Sequence, residues 1–153
     1  MLVPVSIALH LFASVVWVGG MFFAYMALRP VAGKLLDVPT RLTLWSNVFA
    51  RFFPWVWVAV VILPFTGYVM IYETWGGLNN IGMDLMLMQI IGWVMILVFL
   101  YIFFVPFHRM THAIEEKTFE LAGKQLNQIR LLIAVNLVLG LFVVVISSGG
   151  RYM

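Results

Sequence analysis

Cysteine is absent from the chain, which excludes disulfides, thiolate metal sites, cysteine nucleophiles and covalent c-type haem attachment. Charge is scarce as well. Only 10% of the 153 residues are Asp, Glu, Lys or Arg, against about 25% in an average soluble domain. Four stretches, residues 1–28, 52–72, 85–108 and 131–150, carry none at all. There is also no nucleophile–base arrangement, phosphate loop or paired carboxylate within those stretches. Hydrolysis and proton pumping are therefore poor fits to the sequence.

What is abundant is apolar surface, at 64% of residues. Each charge-free stretch reaches the roughly 20 residues an α-helix needs to cross a bilayer core of about 30 Å. Lipid supplies no hydrogen bonds to the backbone, so helices that satisfy their own are the expected form. The sequence predicts an all-α integral membrane protein, a four-transmembrane-helix bundle forming one domain over residues 1–153. The helices are expected at about 3–28, 52–72, 85–107 and 129–148, joined by loops 29–51 and 108–128. Residues 1–28 lack a basic leading region and a clear cleavage site, so they read as a retained helix rather than a signal peptide.

Proline and glycine punctuate this plan. Arg29-Pro30 is expected to end the first helix. Pro54 falls in the first turn of the second, and Pro64 is expected to kink it. Apolar residues between Leu35 and Phe49 suggest an interfacial amphipathic turn or helix in the first loop. Basic residues set orientation. Arg29, Lys34, Arg41 and Arg51 follow helix one, while Arg109, Lys117, Lys124 and Arg130 follow helix three. Both loops are thus expected in the cytoplasm of a bacterium, with both termini on the periplasmic side of the inner membrane. The net charge of +3 belongs beside anionic headgroups and does not indicate nucleic acid.

Within "ALHLFASVVWVGGMFF", residues 8–23, His10 is the one ionisable side chain. Burying such a group in lipid is costly, which makes it a candidate functional residue. Helical spacing puts it on a face with Ser6, Ala13, Ser14, Trp17, Gly20, Met21 and Ala24, small enough for a flat ligand or a close helix. A neutral imidazole bonded to a neighbouring helix is the plainer alternative. His108 and His112 lie toward the other membrane face, roughly 20–25 Å away along the axis, so they cannot share a ligand with His10 in one chain. Candidate partners at its own depth are Met86, Met88 and Gln89 on helix three, and Arg151 as a cation for outward-pointing propionates. A His with a Met thioether suits haem iron or Cu(I). His108 and His112 stand at i and i+4 and could seat a second metal with Glu115 or Glu116. Asn136 and Gln89 are expected to hydrogen-bond across the bundle.

The first helix, of the form L-H…W-x-G-x-x-F, resembles the opening helix of the copper resistance protein D (CopD) superfamily. "ARFFPWVWVAVVILPFTGYVM" is similar to that family's second signature, an Arg followed by an apolar helix with a late Thr-Gly. "NQIRLLIAVNLVLGLFVVVISS" resembles its last helix. The chain is also similar to HemJ-type protoporphyrinogen oxidases, which bind haem b and in which a first-helix His, at the position of His10, is essential. Arg130 and Asn136 correspond to an Arg and an Asn of that group's last helix. Gln89 stands where HemJ-type proteins have Lys, and Leu137 follows Asn136 where they have Glu. The resemblance therefore implies haem b held by His10, in electron transfer with quinone or a membrane redox partner, more than porphyrinogen oxidation. Copper transport or resistance, and a cofactor-free subunit of a larger membrane complex, are the alternatives. A homodimer pairing His10 across an interface is compatible with either cofactor.

Overall fold

The structure, a computed structural model, describes residues 1–149. Arg151, expected to meet propionates, lies outside the described residues. Four long helices account for nearly all of the described chain: α1 (Leu2–Leu35), α2 (Val38–Trp75), α3 (Met83–Glu115) and α4 (Phe119–Gly149). Each is long and apolar enough to span a membrane. α1 packs along α2 and α3 along α4, and α4 closes the bundle by touching both α1 and α2.

The helices outrun their charge-free stretches on the basic side. Residues 29–51, expected as a loop, are helical except for Leu36 and Asp37, which alone separate α1 from α2. Lipid composition marks where a helix must be apolar, not where it must stop. Ahead of the charge-free stretch of α2, Leu42, Trp45 and Phe49 are all but fully buried and hold α2 in the bundle. Residues 108–128 likewise continue α3 and α4 around a tight turn, with Met110, Ala113, Ala122 and Leu126 buried between them. The first 14 residues of α2 extend roughly 20 Å past its charge-free stretch.

Pro30 does not end α1. The turn before it, Ala24–Leu28, is a π-helix, and Pro106 sits within a second π-turn, Phe103–Phe107, of α3. A π-turn widens the helix locally and shifts its hydrogen bonds, which relieves the clash of a proline ring with the preceding turn. α2 runs through both Pro54 and Pro64, so Pro54 is interior to it rather than in its first turn. At its far end Gly76 takes a left-handed conformation (φ 73°), closing the helix through its N–H on the Tyr72 carbonyl at 3.0 Å.

On the basic half, aromatic residues spaced four apart stack along facing helices: Trp45, Phe49, Phe53 and Trp57 on α2 against Phe99, Phe103 and Phe107 on α3. Asn136, nearer the middle of α4, donates from Nδ2 to the Met95 carbonyl of α3 at 3.1 Å. This is the cross-bundle bond its sequence position suggested.

Candidate functional site

His10 lies two turns into α1, half-buried against α2. Its Nδ1 stands 2.8 Å from Thr66 Oγ1. The Thr66 hydroxyl has one proton and directs it at the Ile62 carbonyl, 2.7 Å away on its own helix. Its oxygen must therefore accept from His10, which places the imidazole proton on Nδ1. Nε2 is left with an unshared pair. Ligating histidines are commonly arranged this way, one nitrogen fixed by an outer partner and the other free for the metal. Ser14, one turn on, spends its hydroxyl on the His10 carbonyl at 2.7 Å.

In front of the ring is a cavity of about 220 Å³, below the roughly 300–1,000 Å³ of an enclosed small-molecule site. His10, Ser14 and Trp17 line it from α1, Pro64 and Gly67 from α2, and Gln89, Gly92 and Trp93 from α3. Met70, Met88 and Met95 also border it. Two glycines define the space. A Cβ on Gly67 would sit 3.5 Å from His10 Cε1 and 3.6 Å from Gln89 Nε2, so α2 passes close under both side chains. A Cβ on Gly92 would meet nothing within 4 Å. The Trp93 indole is held by Tyr68, Nε1 to Oη at 3.2 Å.

Of the residues singled out by sequence, His10, Ser14, Trp17, Gln89 and Met88 meet at this cavity. Gly20 does not: it faces Phe52, whose ring a Cβ there would overlap, and it borders a separate apolar cavity deeper in the bundle. Met86 is half-exposed on the outside of α3 and is absent from the lining. His108 and His112 lie on the basic-side extension of α3. His112 pairs with Glu116 at 3.4 Å, and among the described residues no three His, Asp or Glu side chains gather as a metal site would need. Thr66, Gly67 and Trp93 were not recognised as site residues from sequence. The late Thr-Gly of the second helix was the available signal, but only the register between α1 and α2 shows that its hydroxyl meets His10.

Three features suit a haem ligand, a histidine with its tautomer set, open space beside Gly92 and indole walls, while the cavity itself, at about 220 Å³, would enclose only part of such a group. Thr66→Val keeps shape but removes the acceptor for Nδ1–H. Loss of such an outer partner lowers affinity for a ligated metal by about 10–100-fold, readable by cofactor titration of the purified variant, with helicity unchanged.

Comparison with known proteins adds one match. The family described as Copper resistance protein D matches residues 46–149, from within α2 to the end of α4. The match does not extend over α1 and His10. No curated protein and no solved structure matches the chain.

Proposed function

The chain belongs to the copper resistance protein D family, and from that premise we propose that it is a haem b-binding membrane protein that carries electrons within the bilayer. The observation that carries this reading is the His10–Thr66 pair, which leaves Nε2 without a partner on a residue that lines the cavity. Haem, when bound, supplies a one-electron redox couple whose potential responds to axial ligand and burial. The protein's part is to orient His10 through Thr66, to offer the Gln89 amide at the rim, and to exclude water with Trp17 and Trp93. Quinone or another membrane redox partner is the exchange partner in this reading. The basic extensions of α1–α4 belong on the cytoplasmic side of the inner membrane, with His10 toward the periplasm.

The test is a reduced-minus-oxidised spectrum of the detergent-purified protein with metal analysis. Stoichiometric iron with porphyrin supports the proposal. Gly92→Leu provides the control that separates site from fold. It adds bulk where the structure has room and improves helix propensity, so thermal stability holds while haem content falls severalfold. Full haem content in that variant would count against this cavity.

Copper is the second reading, favoured by one feature: Met70, Met88 and Met95 border the same cavity as His10, and imidazole with thioether suits Cu(I). Copper recovered without porphyrin would replace haem by this ion at the same histidine.

A further inference from the structure

At the opposite end of the bundle, arginines from three helices converge. Arg29 of α1, Arg41 of α2 and Arg130 of α4 line one shallow cavity with Tyr25, Met26, Pro30 and Gly33. Among the described lysines and arginines these three are half-buried, whereas Lys34, Arg51, Arg109, Lys117 and Lys124 are exposed. None of the three has a carboxylate within 4 Å among the described residues, where the ion pairs are His112–Glu116 and Lys124–Glu120. Asp37, one turn before Arg41, is exposed, and the Thr40 hydroxyl first and the Arg41 charge in smaller part hold its carboxyl below the usual range.

Two of the three guanidinium groups are instead held by rings. Arg29 lies 4.7 Å from the centre of Tyr25 and Arg130 5.5 Å from that of Trp45. Such contacts engage the face of the guanidinium plane and leave its N–H donors free. Arg130 Nε is buried without a partner, and the charges of Arg29 and Arg41 act on it from close by. Gathering three like charges, one of them with an orphaned donor, is unfavourable unless an anion completes the site.

Depth identifies that anion. Arg29 directly follows the charge-free stretch 1–28, and Arg130 directly precedes 131–150, so both stand at headgroup level. There the abundant anion is phosphate, which the guanidinium fork matches. Met26 and Val31, both more than half exposed nearby, offer apolar surface to acyl chains. We propose that this pocket binds the phosphate of an anionic phospholipid from the basic-side leaflet. Basic pockets between membrane helices suit such headgroups.

Native mass spectrometry of the full chain with added phosphatidylglycerol or phosphatidylcholine tests the site. The expected result is selective retention of phosphatidylglycerol. Each of Arg29→Gln, Arg41→Gln and Arg130→Gln should lower the preference roughly fivefold, the equivalent of one basic residue at a membrane surface. Lys124→Gln, on the exposed surface, should leave it unchanged. Elution volume and tryptophan emission identify any variant that misfolds, and the remaining arginine variants then carry the test. Equal retention of both lipids, or an undiminished preference in the folded arginine variants, would overturn the proposal. So would stabilisation by inorganic phosphate alone equal to that by phosphatidylglycerol, which would assign the site to a soluble anion.

Discussion

With haem as the proposed cofactor, His10→Ala is expected to remove the Soret band from the purified protein while leaving a folded helical bundle. The imidazole contributes one hydrogen bond to the fold, through Nδ1 to Thr66, and losing an ordinary hydrogen bond costs only about 1 kcal/mol. Thr66 keeps its own bond to Ile62 in the variant, so no buried hydroxyl is orphaned. For a ligand at the cavity the loss is of another order, because His10 supplies the sole imidazole among its lining residues. Retained helicity and elution, absent colour, and partial recovery with added imidazole would together locate the cofactor at His10. An unchanged Soret band would remove His10 as ligand. An equally colourless wild type containing stoichiometric copper would redirect the same experiment to Cu(I).

The second large effect concerns the fold. Phe53→Ala should destabilise the bundle by about 3 kcal/mol in micelle unfolding, at the low end for a buried Phe. Phe53 is 3% exposed. Its ring stacks on Phe49 at 5.1 Å and 7°, and meets Phe107 edge-on at 4.9 Å and Phe99 at 5.6 Å. In lipid, separating helices exposes a side chain to acyl chains rather than water, so the transfer contribution shrinks. The cavity and the lost ring contacts remain. Trp55, two residues away and 59% exposed, faces outward, and Trp55→Ala should change stability by no more than about 0.5 kcal/mol. Equal effects at the two positions would contradict the aromatic ladder as the source of stability.

The four spans were legible because the bilayer imposes composition, and a run without charge is visible one residue at a time. The helical extensions were not. Leu42, Trp45 and Phe49 are buried by partners on other helices, a non-local fact, and Pro30 reads as a stop unless the π-turn before it is known. The site followed the same division. Ser14 and Trp17 share a helix with His10, so periodicity alone placed them at the cavity. Gly20 obeys that period too, yet α2 brings Phe52 across it and diverts it. Thr66 and Trp93 depend on how α2 and α3 register against α1, which local spacing does not encode. The family match supports the membrane class and covers α2 to α4, while the reading of His10 rests on the geometry around it.

The two π-turns also govern how the halves of the molecule are phased. One extra residue per wide turn offsets the helical repeat by about 100°. In α1 that offset falls between Met21 and Arg29, hence between the histidine cavity and the arginine pocket. The face that carries His10 and the face that carries Arg29 are thus indexed separately along one helix. Deleting a single residue from Ala24–Leu28 would let the turn close to regular α-helix with Arg29 still in line with Arg41 and Arg130, whereas forcing the same five residues into α-helix would swing Arg29 round by about 100°. The turn works as a rotary joint set once, in the covalent sequence, letting two unrelated surfaces be aligned on the same rod.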